Sequence, residues 1–270
     1  MNYVDYHNHT VICRHATGSI DEYLERATQL GIREFGFAEH SPWMIQVDER
    51  KLCPSEQEFD EYIQILLNRQ QIYNGKNGKP LIKIGIEADW VPERLAEARA
   101  FIAKYPFDYV YGSVHHLPDP TTEEMVTVWH FTSNDWDSMY TRYFTAVGEL
   151  VQSGMCDILA HLDVIRRSCK VPEKGVLPYL EPIIPLIKES GVAVEINASG
   201  RDHKNKDFFP CPEVLKRLIA EEVPITFGSD GHMPNHVGRY AADVVEYFVA
   251  CGGKEYVRFE KREKIPTPIR

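Results

Sequence analysis

Seven short runs of β-branched and aromatic residues recur along the chain, and each is followed by a longer amphipathic stretch. The runs are Tyr3 to Tyr6, Glu34 to Ala38, Ile82 to Ile86, Tyr109 to Val114, Ile158 to Ala160, Val192 to Ile196 and Ile225 to Gly228. Strand and helix alternating this many times predict a parallel α/β sheet. No Gly/Ser/Pro-rich linker and no shift in composition interrupts the rhythm, so residues 1–270 are expected to form one domain. What separates a closed barrel from an open sheet is where the polar residues sit. Every run ends on one: His7 and His9, His40, Glu87, His115, His161, Asn197, then Asp230 and His232. In a βα-barrel the C-terminal strand ends converge on one mouth, whereas an open sheet would spread them too widely to cooperate.

Local signals agree. Ser19 with Glu22 three residues on, and Ser55 with Glu58, predict capping boxes, and Gly31 predicts the end of the first helix. Pro178, Pro182 and Pro185 predict an irregular start to the helix that ends at Gly191. The tail from Val257 is expected to add a last short strand or to drape over the barrel.

Composition removes several function classes. No stretch approaches the roughly 20 apolar residues of a membrane span, and the start MNYVDYHNHT has no signal-peptide pattern, so a cytosolic protein is expected. A net charge of −10 argues against a nucleic-acid surface. Cys13, Cys53, Cys156, Cys169, Cys211 and Cys251 include no C-x-x-C pair and are expected to be reduced thiols. Dinucleotide, P-loop, nucleophile-elbow and zincin motifs are all missing.

The supply of 11 histidines carries the chemistry. Strand alternation puts His7 and His9 on one face, and likewise Asp230 and His232. Glu87 alone reads as a cap or ion-pair residue, and His161 alone as a satisfied core histidine. Read together, seven polar strand ends point to one site. Six or seven imidazoles and two carboxylates exceed a single tetrahedral zinc site and fit two or three divalent ions. Such clusters suit phosphate-ester hydrolysis, since they polarise phosphoryl oxygens and lower the pKa of a bound water to about 7. Phosphate also needs forked cationic donors. Arg166, Arg167 and Arg201 follow strand ends and are the candidates, with Arg166 favoured over Arg167. Glu39 is expected to hold His40, and Arg239 to tether the helix after it. His130, His203 and His236 read as solvated or capping residues at least as well as substrate contacts. The insertion from Leu117 to Asn134, with Asp119, Glu123, Glu124, Trp129 and Phe131, is expected to serve as a lid or specificity element.

At HNHT, GFAEH, GIEADW, GSVHH, AHLDVIRR, EINASG and FGSDGH the chain resembles the polymerase-and-histidinol-phosphatase family, and within it the histidinol-phosphate phosphatase branch, over nearly its whole length. The resemblance implies a distorted (β/α)7 barrel with a trinuclear site of zinc, iron or manganese. It also implies cleavage of histidinol phosphate to histidinol and phosphate in histidine biosynthesis. On its motifs, His7, His9, Glu87 and Asp230 would hold the first ion. His15, His40 and His232 would hold the second, and His115, His161 and the shared Glu87 the third. A one-residue slip would exchange His115 with His116, which otherwise stands beside the substrate. Catalytic roles fall on Glu87, Asp230 and Arg166. Acidic and aromatic side chains of the insertion would suit the ammonium and imidazole of the substrate. The implied partner is thus a small-molecule phosphate ester, without membrane or nucleic acid, and a homo-oligomer is compatible with it. Two rivals accompany this reading: the same barrel acting on nucleotides or nucleic-acid ends, and a degenerate barrel that binds metal only structurally or serves as a proofreading-like accessory of a larger complex.

Overall fold

The structure is a computed structural model that describes residues 3–45, 51–74 and 76–269. Its first four strands are β1 (Val4–Asp5), β2 (Glu34–His40), β3 (Leu81–Asp89) and β4 (Tyr109–Ser113). A small antiparallel hairpin, β5 (His116–Pro118) and β6 (Met125–Thr127), precedes β7 (Ile158–Leu159), β8 (Ala193–Asn197) and β9 (Ile225–Gly228). The seven strands outside the hairpin pair in parallel in the order β1-β2-β3-β4-β7-β8-β9. The two ends of this sheet meet. Tyr6 N–H donates to the Phe227 carbonyl at 3.2 Å, and Asn8 bridges Gly231 in parallel. The result is a nearly closed seven-stranded barrel, as the polar strand ends predict, with a strand in every one of the seven runs.

Outside the barrel run α1 (Ile20–Gln29), α2 (Glu56–Tyr73), α3 (Leu95–Ile102), α4 (Trp136–Ser153), α5 (Leu177–Leu180), α6 (Ile184–Ser190), α7 (Pro212–Ala220) and α8 (Ala241–Ala250). Both capping boxes form: Ser19 and Ser55 accept the N–H groups of Glu22 and Glu58, whose carboxylates return to the serine N–H groups. The proline-rich stretch divides as expected, with α5, then a 3₁₀ turn at Glu181–Ile183, then the regular α6. All six cysteines are free thiols. No described helix is long and apolar enough to cross a membrane.

The strand register stacks the barrel interior in layers. His40 pairs with Glu87, Ala38 with Gly85 and Gly85 with Tyr109, so these residues share the inner face. A Cβ at Gly36 or Gly85 would run into the Tyr109 ring. Both glycines therefore make room for a buried tyrosine whose hydroxyl donates to the Tyr6 carbonyl at 2.6 Å. This aromatic layer is the floor on which the polar residues above it rest. The tail forms an antiparallel hairpin, β10 (Glu255–Glu260) and β11 (Glu263–Pro268), under the opposite end of the barrel. There Arg258 meets Glu34 and Arg262 pairs with Asp157, each of which lies at or just before the start of a strand. The tail thus supplies short strands, the first of the two expectations, but they pair with each other outside the barrel sheet and lie at the end away from the site.

Candidate metal centre

Glu87 is the hub. Its carboxylate is 1% exposed, with Oε2 2.8 Å from His40 Nδ1 and Oε1 2.9 Å from His161 Nε2. His115 Nε2 stands 3.4 Å from Oε1, while His7 Nε2 and His9 Nε2 stand 3.5 and 3.6 Å from Oε2. Asp230 Oδ1 approaches His9 Nε2 at 3.6 Å. On the outer side His232 Nε2 lies 2.9 Å from His15 Nε2. The structure thus brings His7, His9, His15, His40, Glu87, His115, His161, Asp230 and His232 to one end of the barrel.

Second partners turn the rings inward. His7 Nδ1 lies 2.8 Å from Glu195 Oε1, His115 Nδ1 2.8 Å from Asp89 Oδ1, and His15 Nδ1 2.7 Å from the Cys13 carbonyl. Such outer hydrogen bonds fix the tautomer and leave the other nitrogen for a ligand. The decisive feature is what these inner nitrogens lack: His7 Nε2 and both nitrogens of His9 are buried without a hydrogen-bond partner among the described residues. Buried polar atoms are normally satisfied, so the Nε2 atoms of His7 and His9, which both face Glu87, fit a cation, while His9 Nδ1 faces Glu39. Potential ligand atoms cluster as His7, His9 and Asp230, as His9, His40 and His232, and as His40, Glu87 and His115.

Electrostatics follow the same division. Burial opposes the charge of Glu87, but His115, His7 and His40 outweigh it and hold the carboxyl well below its usual range. Burial likewise disfavours ionised Asp230, which His9, His7 and His232 keep charged. Burial and the neighbouring His40 and His9 push His15 down to about 4, leaving a neutral imidazole. Burial would lower His9 too, yet Asp230, Glu39 and Glu87 raise it to about 9. A proton there occupies the place a cation would take.

The structure corrects several expectations. Glu39 holds the backbone of His40, whose N–H it accepts at 3.2 Å, but not its ring, which turns to Glu87; it also accepts the Thr10 N–H and hydroxyl and faces His9 at 3.9 Å. Of the adjacent histidines, His115 joins Glu87 while His116 sits 3.5 Å from Asp89 Oδ2, off the cavity. Arg166 is not at the mouth: its guanidinium is held by Asp163 at 3.1 Å and Asp207 at 2.8 Å. Arg201 pairs with Asp243 and lies over Phe208, also off the cavity. Arg167 does line it, with no ion-pair partner among the described residues and its guanidinium 4.5 Å from the Trp129 ring centre. Asn197 accepts from Ser199 N–H and caps the following turn.

An outer cavity of about 640 Å³ opens above the cluster, walled by Arg167, Ser199, Asp202, His203, His236 and Tyr240 among others. It adjoins a deeper one of about 120 Å³ that reaches Glu87, His115, His161 and Trp129. Reading the sequence missed Asp89 and Glu195, although each lies two residues from a recognised strand-end residue, Glu87 and Asn197, on the same alternation. His203 and His236 line the outer cavity, a role no spacing signalled.

The Leu117 to Asn134 insertion reaches the site through Trp129 rather than through its acids. Glu123 pairs with Arg142, and Phe131 is buried in the core. Asp119 is buried and accepts the N–H groups of Thr121, Thr122, Thr132 and Ser133, pinning the insertion to itself. Asp119→Ala is therefore expected to cost about 1–3 kcal/mol, because it strands these donors. Faster amide exchange across 119–133 in the variant is the check; unchanged exchange would show the loop is held elsewhere.

Comparison with known proteins agrees with this architecture. "Probable histidinol-phosphatase" proteins of Deinococcus radiodurans and Schizosaccharomyces pombe are 28% and 26% identical. These alignments span 97% and 94% of this chain and 98% and 89% of theirs. The fold matches the crystal structure of histidinol phosphate phosphatase from Lactococcus lactis complexed with zinc, L-histidinol and phosphate. That match has a TM-score of 0.73 at 20% identity, covering 98% of this chain and 99% of that one. The PHP domain profile matches residues 5–199, from the first strand through β8, and the chain belongs to the PHP domain family.

Proposed function

We propose that the protein is a metal-dependent phosphomonoesterase that hydrolyses histidinol phosphate to histidinol and inorganic phosphate. The observation that carries the chemistry is the convergence of unsatisfied imidazole nitrogens on Glu87 and Asp230 beneath a cavity whose wall presents Arg167, which has no ion-pair partner among the described residues. The substrate assignment is supported by the name of the two full-length relatives and by the histidinol and phosphate bound to the Lactococcus protein.

His7, His9 and Asp230 with Glu87 would hold one divalent ion, His40 and His232 with His15 beside them a second, and His115 and His161, again with Glu87, a third, zinc being the ion named for the Lactococcus protein. When bound, such ions supply Lewis acidity toward the phosphoryl oxygens and an activated water. The chain's own residues do the rest. Glu87 and Asp230 bring the negative charge that balances the cations. Arg167 presents two parallel donors to the non-bridging phosphate oxygens, where charge grows in the transition state. Trp129 stacks on that guanidinium and fixes its plane. Water adds to phosphorus, the ester P–O bond breaks, and one proton of that water passes to the departing alkoxide to give histidinol, which the outer cavity has room to hold, and hydrogen phosphate.

Phosphate release from histidinol phosphate, nucleoside monophosphates and short oligonucleotides, with elemental analysis of the same protein, tests the reading. Preference for histidinol phosphate with two to three divalent ions per chain is expected. A preference for nucleotides would replace the substrate, and a protein that takes up no metal and turns nothing over would overturn the mechanism.

A further inference from the structure

The turn after β9 carries two of the proposed ligands in an unusual backbone. Asp230 has a φ of +52°, in the left-handed region that few non-glycine residues occupy and aspartate more readily than most. From the barrel side, Ser229 N–H and Oγ donate to Asp5 at 2.8 and 2.6 Å, and Gly231 N–H donates to the His7 carbonyl at 3.0 Å. From the cavity side Arg239 holds its backbone carbonyls. Arg239 Nε donates to the Ser229 carbonyl, Nη2 to the Asp230 carbonyl and Nη1 to Asp202 Oδ2, each at 2.7 Å. Asp202 is fixed in turn by the Tyr240 hydroxyl at 2.6 Å.

The Asp230 carbonyl serves two ligands at once. It lies 3.0 Å from His232 Nδ1, so an Nδ1–H donating to it leaves Nε2 of that ring as the free acceptor. The same peptide sets the direction of the Asp230 carboxylate, whose Oδ2 accepts from Ser199 Oγ at 3.0 Å and whose Oδ1 faces His9.

We propose that Arg239, although it lines the outer cavity, is not a substrate group but a positioning residue that aims Asp230 and His232 at the metal centre through their shared peptide. Three of its five N–H donors, one on each nitrogen, already have acceptors, in contrast to Arg167, so the direction of its guanidinium is set by the protein rather than by an incoming phosphate. The inference rests on the proposed role of Asp230 and His232 as ligands. It also corrects the expectation that Arg239 tethers the helix after it, since its hydrogen bonds go to the β9 turn and to Asp202 rather than to α8.

The test is titration of the metal-free full-length protein with zinc alone, for the wild type, Arg239→Met, Arg239→Lys and Asp202→Asn, alongside melting of the metal-free proteins. Loss of an outer group that orients ligands typically costs about 10–100-fold in metal affinity. Arg239→Met is expected to weaken each of the two zinc steps to which Asp230 and His232 respectively contribute by about that factor. Arg239→Lys, keeping the charge but not the fork, should recover part of it, and Asp202→Asn should show a smaller loss in the same direction. With zinc in excess, the kcat of Arg239→Met should return towards wild type at an unchanged KM. Unaltered zinc affinity with a raised KM for histidinol phosphate would overturn the proposal and make Arg239 a substrate group. If Arg239→Met melts early without its metal, the lysine and Asp202 variants decide on the same readout, and unchanged zinc affinity in both sinks the idea. Failure of the underlying metal reading would show instead in the wild type, as absent zinc uptake.

Discussion

Glu87→Gln is expected to remove most of the bound metal and to lower kcat/KM by more than the roughly 100-fold that loss of a supporting group costs. Glutamine matches the shape of the side chain, so the barrel interior has no cavity to collapse. What changes is the set of lone pairs and the charge. Oε1 faces His115 and His161 while Oε2 faces His7, His9 and His40, so both oxygens are used by imidazoles on opposite sides. An amide replaces one of those acceptors with a donor, whichever way it is turned. It also removes a buried negative charge from among five imidazoles, where a cation's positive charge would otherwise be compensated. Elemental analysis and steady-state kinetics on the same preparation, with thermal melting as the control for folding, are the measurements. A folded variant that kept its metal and stayed within about tenfold of wild-type kcat/KM would place the chemistry elsewhere.

The same residue shows how much of the site was legible in the sequence. Glu87, His40, His161 and Asp230 each follow an apolar run, and a parallel barrel has to bring such positions to one mouth whatever the details of its packing. The inner alternation was harder to use. Strands buried on both faces give no apolar-polar pattern along their length, so sequence did not show that Asp89 and Glu195 point inward with Glu87 and Asn197. Closure of β9 on β1 supplies that face. The grouping of ligand atoms was hidden for a related reason: His9 lies near His40 at the end of the adjacent strand and near His232 across the closure, and not only near its sequence neighbour His7. The insertion misled in the opposite way. Its acids are visible in the sequence, but a carboxylate consumed by four backbone N–H groups, as Asp119 is, cannot be told by composition from one offered to a substrate.

Arg166 and Arg167 present this limit most sharply, and substituting each in turn is expected to give opposite results. Both lie in a five-residue 3₁₀ turn, Val164–Ser168, in which consecutive side chains diverge, so the Arg-Arg pair alone could not say which faces the mouth. Arg166 points into the protein. Asp163 is fully buried, with Oδ2 accepting from Arg166 and from Cys211 N–H and with Oδ1 lacking any partner among the described residues. Arg166→Met would leave that carboxylate buried without its countercharge, a change that typically costs about 3–5 kcal/mol. Its melting temperature should fall steeply, while any folded fraction keeps an intact metal centre. Arg167→Met removes no buried charge pair and forfeits only the stacking on Trp129, about 1 kcal/mol. Its proposed contribution lies in charge-assisted hydrogen bonds to phosphate, worth about 1.5–3 kcal/mol, so kcat/KM for histidinol phosphate should fall about 10- to 150-fold. Inhibition by inorganic phosphate should weaken in parallel, because the product carries the same oxygens. If Arg167→Met binds phosphate as the wild type does, the phosphate site lies elsewhere on the cavity wall. If Arg166→Met is the variant that loses phosphate while keeping its stability, its pairing with Asp163 and Asp207 is not what the residue is for.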